Sequence, residues 1–515
     1  MSETQTAHQA PQSQGSRHGS HGHQGDHPKP RRNVELVLLL MALTIGIGAQ
    51  VLVGLTLDEE IGTAYWTEGA IQAGLALGFH VVLRLRAKYA DPFILPIVVT
   101  LNGLGIAMIH RLDFTSAYSG VADRQLMWTA LSMVVAVVVL WVLQDHRRLR
   151  QFTYLSLVAS IVLLLLPIVP GLGDEVYGAN VWVSIGGMSF QPGELAKITL
   201  AIFFAGFLAN NRDLILLAGK KIGPLTFPRV RDLAPLFIAW LVALGVLIVQ
   251  NDLGNALMFF GLFVAVIYVA TSRFSWIAIG GVFVTIGAFL AYHLVWHFRQ
   301  RVEIWLNAFD QEVYERVGGS HQIVQGMFGL AHGGLTGTGL GHGTPQMVAL
   351  ANSDMIIAAF GEELGFIGLS AMLLLYLILF SRYMRAAIGT RDHFGKLLAS
   401  GLAVVLVLQV FVVVGGITRV IPMSGLVSPF LSAGGSALLA NWIIVAIVLL
   451  ISHAARRPIV VGPMVNTSGE GASGTEDRLH RDRRSARPET PAEQTQHFAP
   501  PSSPARPLRR GGEHQ

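Results

Sequence analysis

The sequence predicts an all-α polytopic integral membrane protein of about 12 transmembrane helices. Both termini are expected to be cytoplasmic, and a long extracellular loop is expected between helices 9 and 10. Three observations support this fold class. The chain of 515 residues is 52% hydrophobic and only 13% charged, whereas soluble domains carry about 25% charged residues. Apolar runs of about twenty residues, the length that a helix needs to cross a membrane, recur along the chain. Lysines and arginines cluster at alternate connections between these runs.

Twelve apolar segments define the predicted spans. Each is long enough to cross a membrane as a helix, and only helices or closed barrels satisfy their backbone hydrogen bonds in lipid. The segments lack the short alternating pattern of barrel strands. They cover residues 34–54, 64–83, 93–110, 125–143, 152–169, 192–209, 233–249, 253–270, 275–294, 354–380, 397–417 and 431–453. The chain contains no cysteine, which excludes disulfides, thiolate metal sites and cysteine nucleophiles.

Polar tails flank these segments, so residues 33–455 form the predicted transmembrane domain. Residues 1–32 are rich in His, Gln and Ser, and residues 456–515 are rich in Pro, Ser, Arg and Glu. Such compositions cannot bury a core, and we expect both tails to be disordered and cytoplasmic. The first tail is not followed by a short hydrophobic region with a cleavage site, so no cleaved signal peptide is expected.

The distribution of basic residues sets the predicted orientation. Connections after even-numbered segments carry most of the lysines and arginines, for example at 84–88, 147–150 and 382–396. The positive-inside rule assigns these connections to the cytoplasm. Connections 170–191, 295–353 and 418–430 then face outward, where we expect the function. The basic residues that give the net charge of +5 are therefore explained by membrane topology rather than by nucleic-acid binding.

A single acid, Asp252, lies between two apolar runs in the stretch VQNDLGNALMFF (249–260). It falls at the predicted outward-facing turn between segments seven and eight. Aspartate is a favoured helix N-cap, so capping alone explains it. Ionisable groups at membrane depth are also frequently functional. The residues alone leave both interpretations open.

The next candidate motif, SFQPGELAKITLAIFF (189–204), has two charged residues near the start of a predicted helix. Pro192 suits a first helical turn, and Glu194 suits the positive end of the helix dipole. Lys197 follows Glu194 by three residues, so the two can form an ion pair. A neutralised helix start and a partly desolvated cation that binds an anionic group both remain open.

Two adjacent acids occur inside an apolar run in SDMIIAAFGEELGFIGL (353–369). Glu362 and Glu363 are expected about a dozen ångströms deeper than Asp354, at 1.5 Å per helical residue. They must meet cations, protein groups or a water-filled cavity. A proton or ion relay in a transporter and a polar cavity below an active site are both consistent with this spacing.

Irregular segments are predicted at the outer surface. The glycine-rich stretch GGLTGTGLGHG (333–343) lacks the GK[ST] ending of a P-loop, so ATP-driven chemistry is not expected. The segment 415–442 is broken by prolines and a glycine pair, which indicates backbone beside a polar cavity. Apolar residues at helical spacing predict an interfacial amphipathic helix, with a loop packed on the bundle as the alternative. These are Phe298, Val302, Trp305 and Phe309.

Six motifs, taken in order, resemble the SEDS family (shape, elongation, division and sporulation), the RodA/FtsW/SpoVE group of bacterial cell-wall proteins. They are GANVWVSIG, FQPGELAK, QNDLGNAL, HQIVQGMFGLAHGGLTGTGLG, SDMIIAAFGEELGFIG and PMSGLVSPFLSAGGSALL. The resemblance runs from about Gly178 to Ser452. An extra helical pair before residue 115 is most similar to twelve-helix actinobacterial RodA-type proteins.

The resemblance implies a peptidoglycan glycosyltransferase of the bacterial cytoplasmic membrane. Such an enzyme polymerises lipid II, an undecaprenyl-pyrophosphate-linked disaccharide peptide, into glycan strands on the outer face, in cell elongation, division or sporulation. Its implied partner is a class B penicillin-binding protein transpeptidase. The alternatives are a lipid II flippase that relays protons through Glu362 and Glu363, and a non-catalytic scaffold for the penicillin-binding protein.

The resemblance also implies residue roles. Asp252 matches the family's essential acid, and we expect it to remove the proton from the acceptor sugar hydroxyl as general base. Lys197, Arg301 or a divalent cation (Mg²⁺ or Mn²⁺) is expected to offset the charge of the leaving pyrophosphate. The other expected substrate-binding residues are Trp182, Glu194, Gln322, Gln325, Asp354, Glu362 and Ser432. Asn251 replaces the proline of the family pattern QPDLGTA, which is expected to loosen the turn before the acid.

Overall fold

The computed structural model describes residues 30–57, 62–115, 118, 120–176, 178–185, 187–211, 219–222, 225–228 and 230–458. Most of the two predicted tails lies outside these residues. Among the described residues, the first helix begins at Arg32 and the last ends at Arg456.

Helices dominate the described part of the chain. They are α1 (Arg32–Thr56), α2 (Thr63–Arg86), α3 (Ile94–Asp113), α4 (Val121–Leu143), α5 (Thr153–Leu165), α6 (Pro192–Asn210), α7 (Val230–Val249), α8 (Leu253–Thr271), α9 (Ser275–Leu294), α10 (Trp296–Leu306), α11 (Gln311–Glu315), α12 (His321–Gly333), α13 (Ile356–Gly389), α14 (His393–Ile417) and α15 (Gly435–Arg456). Short 3-10 helices cover His146–Phe152, Leu166–Ile168 and Pro345–Met347.

Ten helical stretches of the described residues are long and apolar enough to cross a membrane. This finding confirms the all-α polytopic membrane fold. Helix α2 is not among the ten, and α7 contributes a shorter apolar helix, Leu233–Val249. Each of the twelve predicted segments coincides with a helix, but a count of twelve membrane crossings stays a prediction.

Two small antiparallel sheets lie in the connections. Strands β1 (Gly173–Val176), β2 (Ala179–Ile185) and β3 (Met188–Phe190) form one sheet in that order. Val183 of β2 is opposite Gly173 of β1 on one side and Phe190 of β3 on the other. Strands β4 (Gly219–Ile222) and β5 (Leu225–Pro228) form a separate hairpin. The three-stranded sheet follows α5 and leads directly into α6.

The helices differ sharply in how much protein covers them. The apolar windows of α3, α6 and α15 are 89%, 83% and 83% buried, whereas that of α9 is 6% buried. A helix that is apolar on all sides but little covered by protein presents its side chains to lipid. Helices α3, α6 and α15 therefore form the core of the bundle.

The N-terminal helix pair packs on that core through small residues. A Cβ atom added to Gly46 of α1 would lie 2.9 Å from Cα of Gly103 in α3, so the two backbones are in close contact, as small residues allow in membrane helices. On α2, the Tyr65 hydroxyl is 2.8 Å from Nε2 of His110 in α3. Both added helices are thus fixed to α3.

Helix α13 is broken in its first third, where the glycine-rich connection contacts it. Gly365 has a φ of 66°, a left-handed conformation that favours glycine. At this break the N–H of Phe366 donates to the carbonyl of Gly334 at 2.9 Å. A Cβ atom at Gly365 would lie 2.2 Å from the backbone nitrogen of Gly337. The glycine-rich segment is therefore inserted against the helix rather than exposed as a free loop.

Candidate functional site

Asp252 is the N-cap of α8. One of its carboxylate oxygens, Oδ1, accepts the backbone N–H of Asn255 at 3.0 Å, and the other, Oδ2, accepts the side-chain amide of the same residue at 2.7 Å. The cap interpretation is therefore confirmed. The Asp252 side chain is half-buried at the end of the bundle that carries the long connection 295–353. Capping and chemistry are compatible here, because the residue is not fully buried.

The turn before the acid is held more firmly than the sequence predicts. Asn251 has a φ of 58°, which asparagine tolerates but the proline ring, fixed near −65°, does not. Its side-chain amide donates to the carbonyl of Gly178 at 3.1 Å. The N–H of Asn180 donates to the carbonyl of Gln250 at 3.2 Å. The expected loosening is therefore wrong, since asparagine replaces proline in a turn of different shape that is hydrogen-bonded to the β1–β2 hairpin.

Trp182 lies on that same hairpin, in β2 and opposite Asp174 of β1. Its side chain is half-buried. The turn of the hairpin also touches α10, because a Cβ atom at Gly178 would be 3.1 Å from the ring of His297. The sheet that carries Trp182 thus connects the start of α8 with α10.

Glu194 and Lys197 form a buried ion pair in the first turns of α6. The Lys197 Nζ is 2.6 Å from Glu194 Oε2, and each residue is 1% exposed. The Lys197 ammonium also donates to Gln409 Oε1 of α14 at 3.2 Å. Because its charge is balanced inside the protein, the structure favours the neutralised helix start. This turn still borders the acid, since a Cβ atom at Gly193 would be 3.6 Å from the Asn255 amide nitrogen.

The positive charge of Arg301 in α10 acts on both outer acids, Asp252 and Asp354. Its Nη1 donates to the carbonyl of Ser424 at 3.0 Å, in the connection before α15. Burial lowers the pKa of Arg301, and the negative charges of Asp252 and Asp354 raise it. Its guanidinium therefore lies within electrostatic range of both carboxylates. Two acids and one cation converge here from three distant parts of the sequence.

Asp354 lies in the turn that precedes α13. Its Oδ1 accepts weak, long hydrogen bonds from Gln322 Nε2 at 3.5 Å and Ser353 Oγ at 3.4 Å. Burial raises the pKa of Asp354 to about 6, against the opposing effect of these donors and of Arg301. Gln325, one turn further along α12, donates instead to the Tyr314 hydroxyl at 2.9 Å. Gln322 thus donates a hydrogen bond to Asp354, whereas Gln325 fixes α12 to α11.

The protonation of Asp252 depends on the same surroundings. Burial raises its pKa above the ordinary aspartate value, and the two hydrogen bonds from Asn255 lower it. The negative charge of Glu194 raises it further, and the positive charge of Arg301 lowers it. A carboxylate with a raised pKa is a better proton acceptor when ionised, which suits a general base.

Glu362 and Glu363 have protein partners, one of the three environments expected for them. Glu363 pairs with Arg111 Nε at 3.1 Å and accepts the Gly341 N–H at 3.0 Å. Glu362 Oε1 accepts the Thr344 N–H at 2.9 Å and lies 3.0 Å from His332 Nδ1. Both acids hold the glycine-rich connection against α13, and their hydrogen bonds do not connect them to Asp252.

Ser432 also makes internal contacts. Its hydroxyl donates to the carbonyl of Ser353 at 2.5 Å and accepts the N–H of Ser428 at 2.9 Å. Ala433 adds a backbone bond from its N–H to the carbonyl of Asn352 at 2.7 Å. These bonds fix the turn that carries Asp354, so in this structure Ser432 orients that acid. Its predicted contact with substrate stays a prediction.

The donor set does not fit a preformed Mg²⁺ or Mn²⁺ site. Among the residues that the structure describes, no three His, Asp or Glu side chains gather where they could hold a metal ion. The two outer acids, Asp252 and Asp354, instead share the field of Arg301. Arg301 is thus the positive side chain that acts on both acids, and a divalent cation at this site stays a prediction.

Sequence reasoning missed Asn255. It is fully buried, and it supplies both hydrogen bonds that the Asp252 carboxylate receives in the described structure. A polar residue three positions after a capping acid was the available signal, because the N-cap side chain bonds to the third helical residue. The carbonyl partner of Arg301 was also missed, since a backbone acceptor has no sequence signature.

Comparison with known proteins identifies the family. Residues 93–457 match the family model of the FtsW, RodA and SpoVE proteins, described as cell cycle proteins. The protein belongs to this family. The match begins at α3, so the N-terminal helix pair lies before it.

Named relatives of this family member cover most of its length. The peptidoglycan glycosyltransferase RodA of Mycobacterium tuberculosis is 44% identical over 452 residues, which is 87% of this chain and 95% of the relative. The RodA of Mycobacterium leprae is 44% identical over 451 residues, with the same coverage of both chains. A probable peptidoglycan glycosyltransferase FtsW of Trichlorobacter lovleyi is 32% identical over 374 residues, 71% of this chain and 93% of the relative.

Solved structures have the same fold. A chain from a peptidoglycan synthase complex, described for its coordination of polymerization and crosslinking, has a TM-score of 0.58 and 26% identity. A mutant of the Rod shape determining protein RodA of Thermus thermophilus has a TM-score of 0.52 and 25% identity. Each similarity covers 72% of this chain and 99% of the other. The protein is thus a multi-pass protein of the bacterial cytoplasmic membrane.

Proposed function

We propose that this protein is a peptidoglycan glycosyltransferase that polymerises lipid II into glycan strands on the outer face of the membrane. The observation that carries the proposal is the position of Asp252. It caps α8 at the end of the bundle where Arg301 and Asp354 also converge. The names of the mycobacterial RodA relatives, which are 44% identical over most of the chain, support the activity.

Direct displacement accounts for the chemistry with few groups. Ionised Asp252 takes the proton of the acceptor sugar hydroxyl as that oxygen forms a bond to the anomeric carbon of the donor. The bond from this carbon to the pyrophosphate oxygen breaks, and undecaprenyl pyrophosphate leaves with the bonding electron pair. The raised pKa of Asp252, caused mainly by burial, brings its basicity nearer to the working pH.

Arg301 is the better candidate for balancing the charge of the leaving pyrophosphate. Fixed cations that face developing negative charge stabilise a transition state strongly in a site with little water. The alternative, Lys197, is 1% exposed and already paired with Glu194 at 2.6 Å. Arg301 is half-buried, and its Nη1 donates to the carbonyl of Ser424. Its other guanidinium nitrogens remain to face the pyrophosphate.

The proposed partner is a class B penicillin-binding protein transpeptidase. The structural similarity to a chain of a peptidoglycan synthase complex that couples polymerization with crosslinking supports this assignment. The flippase alternative gains no support from Glu362 and Glu363. Both acids are bonded to the glycine-rich connection or to Arg111, so their contacts account for them without a relay.

Polymerisation of lipid II by purified protein tests the proposal. Asp252→Asn and Asp252→Ala should abolish glycan synthesis, with and without a co-expressed transpeptidase and added divalent ions. Asp310→Asn is a matched control, because Asp310 is an exposed acid of the long connection 295–353 and its loss should leave the rate unchanged. Near-normal activity of the Asp252 variants would remove Asp252 as the base.

A further inference from the structure

We propose that Asn255 is a positioning residue, which orients the Asp252 carboxylate and favours its ionised form for proton transfer. This inference rests on the proposed function. The resemblance to the SEDS family implies no role for Asn255. Its side chain is 0% exposed, and its Nδ2 is 2.7 Å from Asp252 Oδ2. Its backbone N–H is 3.0 Å from the other carboxylate oxygen.

The side-chain bond is the specific part of this arrangement. Any residue at position 255 except proline offers a backbone N–H to the cap, because that donor belongs to the helix start. The amide adds a second donor that holds the other oxygen. With both oxygens engaged, rotation of the carboxylate about its Cβ–Cγ bond is restricted, and the lone pairs left over point in fixed directions.

The orientation of the amide is itself fixed by charge. If the amide were flipped, its oxygen would face a carboxylate oxygen at 2.7 Å, which is repulsive. In the observed orientation the Asn255 Oδ1 has no hydrogen-bond partner among the described residues. An unpaired buried acceptor is unfavourable, so this orientation is maintained by the bond to Asp252.

Two substitutions relative to the family pattern occur together at this turn. The chain reads QNDLGNAL where the pattern reads QPDLGTA. Asn251 adopts a φ of 58° and donates to Gly178, and Asn255 donates to the acid from the other side. One asparagine therefore fixes the backbone of the cap, and the other fixes its carboxylate. A threonine hydroxyl at position 255 is a shorter donor that offers a single hydrogen.

The charges that act on Asp252 come from the neighbouring elements. They are Glu194 of α6, which Lys197 neutralises, and Arg301 of α10, which also faces Asp354. Asn255 carries no charge, so its removal leaves these groups in place. Loss of its bond to the ionised carboxylate makes protonation easier, and the pKa of Asp252 should rise.

The test compares Asn255→Ala and Asn255→Thr with Asn441→Ala in full-length protein. Asn441 is a matched control, since it is 2% exposed and its Nδ2 donates to a carbonyl of its own helix, that of Ala437, at 2.8 Å. The rate of lipid II polymerisation is measured across pH for each variant, per amount of folded protein recovered by size-exclusion chromatography.

Asn255→Ala should lower kcat near neutral pH by about tenfold or more, as expected for loss of a hydrogen bond to a charged group. KM should change little, the acidic limb of the pH profile should move to higher pH, and raised pH should restore part of the rate. Asn255→Thr should give an intermediate limb, and Asn441→Ala should leave it unmoved.

An unmoved acidic limb in Asn255→Ala, with Asp252→Asn inactive, would overturn the positioning role and leave the proposed function intact. If Asp252→Asn is itself active, the proposed function fails first. Should Asn255→Ala not fold, the position of the limb in Asn255→Thr decides, because an unchanged limb there contradicts the proposal in the same way.

Discussion

Arg111 of α3 forms an ion pair with Glu363 of α13, with Nε 3.1 Å from Oε1, and both side chains are at most 5% exposed. Each member of the pair also forms a hydrogen bond with a backbone group of the glycine-rich connection. Arg111 Nη2 donates to the carbonyl of Gly343 at 2.8 Å, and Glu363 accepts the N–H of Gly341 at 3.0 Å. One buried pair therefore joins α3, α13 and the glycine-rich connection that precedes α13.

Removal of either charge from this pair should destabilise the protein. Arg111→Met or Glu363→Gln leaves a buried group without its partner, which costs about 3–5 kcal/mol in comparable pairs. The double variant should lose less stability than the sum of the two single variants, because neither charge is then unpaired. Thermal unfolding of the four proteins in detergent measures this. Additive losses would show that the pair is not coupled.

The pH dependence of polymerisation should report the outer acids. A base acts only when ionised, so the rate should rise as pH increases through its pKa. Burial raises the pKa of Asp354 to about 6 and raises that of Asp252. The acidic limb should therefore lie above the ordinary aspartate value of about 3.9.

Asp354→Asn separates the two acids in the same assay. If Asp252 is the base, a limb should persist in this variant but shift to lower pH. The reason is that the neutral asparagine leaves the positive charge of Arg301 to Asp252 alone, and this charge lowers the pKa of Asp252. A limb that vanishes would assign the titration to Asp354 instead. The measurement is the initial rate of glycan synthesis at constant ionic strength.

Gly365→Ala should destabilise the break in α13. A φ of 66° costs a residue with a side chain about 1–2 kcal/mol. The added methyl group would also lie 2.2 Å from the backbone nitrogen of Gly337. We expect a lower melting temperature than for Gly74→Ala, a control in α2 where a Cβ atom meets nothing within 4 Å. Equal melting temperatures would contradict the insertion of the connection at this point.

Asn251→Pro restores the residue of the family pattern but should reduce both stability and activity. Proline cannot adopt a φ of 58°, and it lacks the amide that bonds to Gly178 at 3.1 Å. A proline placed at an incompatible φ destabilises by more than about 1 kcal/mol. Asn251→Asp is the comparison, since it tolerates the same φ but loses the donor. A proline variant with full activity would show that the turn readily changes shape.

Several features of this protein could be predicted from the sequence. Low charge, twelve apolar segments and clustered basic connections predicted the all-α membrane fold. Most helix boundaries lie within about four residues of prediction, but α13 ends at Gly389 rather than at residue 380. Lipid imposes a strong constraint, because each spanning segment must satisfy its own backbone hydrogen bonds. The capping position of Asp252 and the pairing of Glu194 with Lys197 were also predictable, since both depend on spacings of three residues.

Only the tertiary structure decided which of the polar residues meet. Asp252, Arg301 and Asp354 are separated by about fifty residues each along the chain, and no local periodicity connects them. The structure also showed that Glu362 and Glu363 are bonded to an inserted connection, and that Asn251 and Asn255 set the turn and the carboxylate. Hydropathy acts along one segment, whereas hydrogen bonds and charge pairs depend on the packing of segments that are distant in sequence.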